Sequence, residues 1–291
     1  MAHKNLLVDA NNFVFSLRHT KLKPGGAKQK FVKEFLFLES LSSLIKHAKM
    51  LKADSIVICS DSAKVWRRDI YPDYKANHTG SIDDIYFSDT IDATNMLTWF
   101  LKNLTASYTL SHPRCEADDV IAVWCQESRN VENVILSTDK DFIQLIDERT
   151  TLYSPVQAVF RETEDAGFDL FVKCIRGDAG DNVRSSFPRV RMDRLKKAWD
   201  DDLEMLNLLE TVRPDGVKVG DALSQNISLI DLSQQPDYIR DGILLEIESF
   251  VPNSFSLVKA MKFLGDNHLK ERRDILDGSE RIFRTAPVFR A

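Results

Sequence analysis

Residues 134–139 read Val134-Ile135-Leu136-Ser137-Thr138-Asp139, an unbroken apolar run that ends on a carboxylate. Leu6-Leu7-Val8-Asp9 and Ile56-Val57-Ile58-Cys59-Ser60-Asp61 carry the same pattern earlier in the chain. Short β-branched runs without polar alternation are strands buried on both faces, as in a parallel sheet. Between the first two, Phe31, Phe35, Leu38, Leu41 and Ile45 recur at three and four, which predicts an amphipathic helix from Phe31 to Leu51. Helical stretches near Thr94 to Lys102 and from Glu116 to Glu127 separate the second strand from the third. The alternation predicts an α/β fold with a mainly parallel central sheet flanked by helices. Sites in such sheets form beyond the carboxyl ends of the strands, so Asp9, Asp61 and Asp139 are expected to converge there.

After Tyr153-Ser154-Pro155 the strand signals weaken, and helices are expected over Phe168 to Ile175, Leu195 to Leu209 and Asp241 to Phe250. Another begins at Val258 to Leu264 and continues through Lys270 to Arg273. A boundary near residues 155–167 divides an α/β domain, 1–160, from a helical C-terminal subdomain, 161–291. Thr285 to Ala291 are expected to fray.

The composition is that of a globular chain: 291 residues, 43% hydrophobic and 29% charged. Cys59, Cys115, Cys125 and Cys174 are widely spaced with no CxxC pair, which fits reduced thiols in the cytoplasm better than a disulfide framework or a zinc ribbon. No apolar run approaches a membrane span, and Leu6-Leu7-Val8 is too short for a signal-peptide core. The net charge of −5 speaks against a nucleic-acid partner only if acids and bases are mixed, so their placement decides.

They are segregated. Glu116, Asp118 and Asp119 open the helix that begins at residue 116. Two acids would serve the helix dipole; three adjacent acids repel one another and call for cations or protons. Asp141 follows Asp139 by two residues, and Asp178 and Asp181 sit in a glycine-containing turn that would be unremarked on its own. Gathered in one cleft, these carboxylates need hard divalent cations such as Mg²⁺. The histidines are scattered, which disfavours zinc. Two ions about 4 Å apart would stabilise both the attacking and the leaving oxygen of a phosphodiester substitution. Lys64 to His78 interleaves cations with aromatics, suited to phosphates and bases. Arg184, Arg189, Arg191, Arg194, Lys196 and Lys197 form a second basic run with Asp193 as its sole acid. Such a run is often a solvated helix face, but this one directly follows the acidic turn.

Together these segments resemble the 5′-nuclease (flap endonuclease) superfamily, most of all its T-even phage RNase H branch. The matching segments are Val8-Asp9-Ala10-Asn11, Asp61 with Trp66-Arg67-Arg68 and Tyr74-Lys75-Ala76-Asn77, Glu116-Ala117-Asp118-Asp119, Asp139-Lys140-Asp141-Phe142, and Gly177-Asp178 with Asp181-Asn182. They occur in the family's order, and the likeness continues weakly at Leu229-Ile230-Asp231-Leu232. The resemblance implies a 5′→3′ exonuclease and flap endonuclease that uses two Mg²⁺ ions, replaceable by Mn²⁺. Its substrates would be duplex DNA and RNA–DNA hybrid with 5′ ends or flaps, and its role the removal of RNA primers. It implies a first metal site from Asp9, Asp61, Glu116, Asp118 and Asp119, and a second from Asp139, Asp141, Asp178 and Asp181, with Asp139 serving both. Lys75 would contact the scissile phosphate, Tyr74 would stack on a base, and Arg67 and Arg68 would steer phosphates.

Two departures stand out. His78 replaces the family's usual arginine, and Val183 to Arg191 lacks the glycines of the family's cation-binding hairpin. The second points to Arg184, Arg189 and Arg191 gripping duplex by charge, without a potassium site. The family also implies a mobile arch within residues 64–95; here Thr79 to Asn95 is acidic and lacks cations. A monomer is expected, in the cytoplasm of a host cell if phage-encoded, with a single-strand-binding protein or sliding clamp as partner. An aspartyl-phosphate phosphatase would need an acid where Asn11 stands. A PIN-type single-strand ribonuclease would not need Tyr74-Lys75 or the helical half. A non-catalytic nucleic-acid-binding module would be expected to lack some of the carboxylates.

Overall fold

The computed structural model describes residues 2–22, 31–77 and 85–291. Strand β1 (His3–Asp9) runs straight into α1 (Ala10–Lys21), then α2 (Val32–Met50), β2 (Ser55–Cys59), the short α3 (Arg67–Ile70) and α4 (Phe87–Leu104). Next come β3 (Tyr108–Leu110), α5 (Ala117–Glu127), β4 (Val131–Leu136), a 3-10 turn at Asp141–Leu145, β5 (Thr150–Ser154) and β6 (Val159–Arg161). Helices follow: α6 (Ala166–Arg176), α7 (Met192–Asp200), α8 (Asp202–Leu209), α9 (Val219–Ile230), α10 (Asp237–Ser249), α11 (Leu257–Asp266), a 3-10 segment at Lys270–Leu276, and α12 (Glu280–Arg284). No helix among the described residues is long and apolar enough to cross a membrane.

The sheet has the order β3-β2-β1-β4-β5-β6, parallel throughout except for the antiparallel β5–β6 pair. Burial on both faces explains the unalternated runs. Leu6 and Val8 point into a core built with α1, α2 and α4, while Leu7 points into a second core on α5. Val8 lies opposite both Ile58 and Leu136, so the three strands end level and release their acids at one edge.

The C-terminal helices do not all stand apart from this sheet. Ile239, Ile243 and Ile247 of α10 join the core on α5, and Ala260, Leu264, Ile282 and Phe283 join the core on α2 and α4. A third core unites α6 to α9 with Tyr74.

Several sequence expectations need correction. Residues 87–95 are not arch: they begin α4, and Thr90, Ala93 and Thr94 are buried. Residues 78–84 of that segment, His78 included, lie outside the described residues. The helix expected from Leu195 to Leu209 is two. Asp201 has an extended backbone and caps α8 by accepting from the Leu203 and Glu204 amides. Helix α11 stops before Lys270, with a 3-10 segment beyond it. Thr285 to Ala291 are held rather than frayed. Phe289 packs on Trp124 at 5.0 Å, and the buried Asn5 accepts from the Val288 amide and donates to its carbonyl.

Candidate active site

Asp9, Asp61, Glu116, Asp118 and Asp139 line one open cleft at the carboxyl edge of the sheet, with Asn11, Asn12, Phe15 and Lys75. Asp9 ends β1 and caps α1, its Oδ1 accepting from the Asn12 amide at 3.0 Å. Asn11 donates to Asp61 Oδ2 at 2.7 Å, and the Ala117 amide at the start of α5 donates to Asp61 Oδ1 at 2.8 Å. Asn12 Oδ1 accepts from the Thr138 amide and hydroxyl, which ties the exit of β4 to α1. Burial, then the charge of Asp61, pushes the Asp9 carboxyl up to about 8. Burial and the neighbouring Glu116 also raise Asp118.

Glu116 and Asp119 form a capping box at the start of α5. Asp119 faces inward with 0% exposure and is gripped through both oxygens by the Arg67 guanidinium at 2.8 and 2.9 Å. Trp66 Nε1 adds a bond to Asp119 Oδ2 at 3.1 Å. Glu116 Oε2 accepts from Arg67 and from the Tyr74 hydroxyl, and its Oε1 pairs with Lys75 Nζ. Burial opposes the Glu116 charge, but Lys75 and Arg67 together hold its carboxyl below the ordinary value. Lys75 in turn is raised: burial works against its charge, and Glu116, Asp118 and Asp181 together outweigh it.

A second acidic group joins Asp141, Asp178 and Asp181, with ligand oxygens within 4.8 Å of one another. Lys173 on α6 pairs with Asp141 and with Asp178, the latter at 3.0 Å. Burial and then Asp139 push Asp141 up to about 6. The loop carrying Asp178 and Asp181 depends on Gly177, whose φ is +71°; a Cβ there would lie 2.5 Å from the Val183 carbonyl oxygen. The two acidic groups are stapled together. The Lys75 amide donates to the Asp181 carbonyl, Asn77 to Ala179 O, and Asn182 to Asp73 O. Tyr74 donates toward both Glu116 and Asp181 at 3.1 Å.

The expected nucleic-acid contacts divide. Arg68, Arg184, Arg189 and Arg191 are exposed. Arg67 and Tyr74 are not available to a substrate: they are 1% and 2% exposed and spend their polar atoms on carboxylates and, for Arg67 Nε, on the Leu229 carbonyl. Asn12, Phe15 and Lys173 went unnoticed in the sequence. Asn12 follows directly on the Val8 to Asn11 segment, and that adjacency is its sequence signal. Lys173 reads as an ordinary residue of an amphipathic helix, and Phe15 carries no signal of its own.

The donor set consists of carboxylate oxygens, which suits a hard divalent cation. The raised Asp9 carboxyl fits such a cation: a half-buried acid whose charge is opposed by burial and by Asp61 is one that a cation would favour in its ionised form.

Residues 4–169 match the family model described as the 5′-3′ exonuclease N-terminal resolvase-like domain. Ribonuclease H of Enterobacteria phage T4 is 29% identical over 245 residues, covering 76% of this chain and 77% of the relative. DNA polymerase I of Mycobacterium tuberculosis is 29% identical over 195 residues, 62% of this chain. The chain spans only 21% of that polymerase. Among solved structures, the bacteriophage T5 flap endonuclease, in a complex with DNA and metal ions, superposes with a TM-score of 0.61. At 20% identity over 96% of this chain and 100% of that one, it shares the fold.

Proposed function

The chain belongs to the 5′-3′ exonuclease family, and on that premise we propose that it is a divalent-metal-dependent 5′ nuclease. Its substrates are 5′ ends and flaps on duplex DNA and RNA–DNA hybrid, and Mg²⁺ is the natural ion, with Mn²⁺ a substitute. The observation that carries this reading is the meeting of Asp9, Asp61, Glu116, Asp118 and Asp139 in one cleft with Lys75.

Asp9, Asp61, Glu116 and Asp118 would hold one ion, and Asp141, Asp178 and Asp181 a second, with Asp139 serving both. Two ions held there would supply a Lewis acid for the phosphodiester and a lower cost of ionising a nearby water. Lys75, paired with Glu116, would stabilise the charge that grows on the scissile phosphate. Arg68, Arg184, Arg189 and Arg191 hold phosphates further along the duplex. Residues 1–160 serve as the main catalytic part, joined by Asp178 and Asp181 from the helical part, whose Arg184, Arg189 and Arg191 supply the duplex grip. Asp119 is proposed to act on the metal site through its grip on Arg67 and its bond to the Glu116 amide.

Two 5′-labelled nicked duplexes test the reading, one with a 5′ RNA segment and one with a 5′ DNA flap. Short 5′ products are expected with Mg²⁺, none with EDTA, and none from Asp139→Asn. Duplex binding without cleavage of either substrate would replace the nuclease reading with a non-catalytic binding module.

A further inference from the structure

The end of α9 bonds to a side chain beside each acidic group without contributing an acid to either. The Leu229 carbonyl accepts from Arg67 Nε at 2.9 Å, and the same guanidinium forks onto Asp119 and reaches Glu116 at 3.0 Å. One residue on, the Ile230 carbonyl accepts from Gln144 Nε2 at 3.1 Å. The Leu232 amide donates back to Gln144 Oε1 at 2.8 Å. Gln144 belongs to the 3-10 turn that begins with Asp141. A turn earlier in α9, the buried Asn226 donates to the Cys174 and Arg184 carbonyls at 2.7 and 2.8 Å, on either side of the loop carrying Asp178 and Asp181. Residues 226–232 thus hold three separate segments through directional bonds.

We propose that this end of α9 is a positioning hub that sets the two acidic groups relative to each other, with Arg67 and Gln144 as its two arms. The inference rests on the metal-dependent reading above and assigns Arg67 a positioning role instead of a phosphate contact. The physical reason is rigidity. Arg67 is buried, its planar fork fixes Asp119 and one oxygen of Glu116, and the other arm of that guanidinium is fixed by a helix-end carbonyl. Gln144 does the same for the Asp141 turn through a two-way amide pair. Substrate phosphates would meet exposed arginines, and Arg67 is not among them.

Arg67→Lys keeps the charge and loses the fork; Gln144→Leu keeps the bulk and loses both bonds. Each is titrated with Mn²⁺ alone by calorimetry, and its binding to a blunt duplex in EDTA is followed against salt. Loss of about tenfold in Mn²⁺ affinity is expected in both, as for other residues that hold metal ligands in place. The salt dependence of duplex binding should stay that of the unmodified chain. Unchanged Mn²⁺ binding in both variants would overturn the hub, as would a salt slope shallower by about one for the charge-removing Arg67→Met, the mark of a lost phosphate contact. If Arg67→Lys does not fold, Gln144→Leu decides by the same Mn²⁺ criterion. Weakened Mn²⁺ binding in the variants, with no cleavage by the unmodified chain in Mg²⁺, would sink the nuclease reading and leave the hub standing.

Discussion

Asp9 closes a strand, caps a helix and faces a cleft, and those three duties conflict electrostatically. Its carboxyl is raised to about 8 and that of Asp141 to about 6, both chiefly by burial. Between the ordinary carboxylate range and those values, the folded chain keeps protons that the unfolded chain has released. Stability without metal should therefore fall as pH rises from about 4 to about 8. Glu116 and Asp178 are lowered, so their stabilisation is lost only in more acidic solution. Urea unfolding in EDTA across this window checks the sign, and a rise in stability would contradict it. Lys75 lines the cleft and is the residue proposed to meet the phosphate. Lys75→Ala should slow single-turnover cleavage by about 10²- to 10³-fold, in the range seen for loss of one charge-stabilising donor. An unaltered rate would assign the lysine to Glu116 alone.

At the scale of elements, the loop after α6 is the place where backbone geometry and site coincide. Gly177 has both a positive φ and a carbonyl oxygen in the way of a side chain. Gly177→Ala should destabilise the chain by roughly 1–3 kcal/mol and blunt Mn²⁺ binding by the Asp178–Asp181 loop. Thermal melting and calorimetry read the two effects separately. The central strands were legible because β-branched runs without alternation have few other uses. Helix α1 was missed: it follows β1 with no intervening turn, so the Asp9 signal read as the end of a strand alone. Helix α9 was missed because Gly220, Ser224, Asn226 and Ser228 dilute its apolar pattern. Asn226 is buried there to bond two carbonyls of another segment, a duty no local rule reveals.

Across the whole molecule, the chain closes on itself at the edge of the sheet opposite the cleft. Phe289 rests on Trp124, and Val288 is bonded to the buried Asn5, itself linked to Asn133 and Ser55. Phe289→Ala should cost about 2 kcal/mol from lost apolar burial, seen as a lower denaturant midpoint. The exposed arginines act at long range instead. If Arg184, Arg189 and Arg191 each neutralise a phosphate, replacing all three by Ala should flatten the salt slope of duplex binding by about 2.7. An unchanged slope would move the duplex to another face. The sequence by itself determined the parallel sheet, the edge where its acids emerge and the oxygen-rich character of the site, because burial periodicity and ligand chemistry are local properties of the chain. Only the tertiary structure decided which charged groups face the cleft. Arg67 and Tyr74 look like substrate contacts in sequence, yet they lie inside because Asp119, Glu116 and Leu229 O reach them from distant segments. Lys173 enters the site only because α6 packs against the Asp141 turn. Pairings of that kind depend on distance in space, which spacing along the chain does not encode.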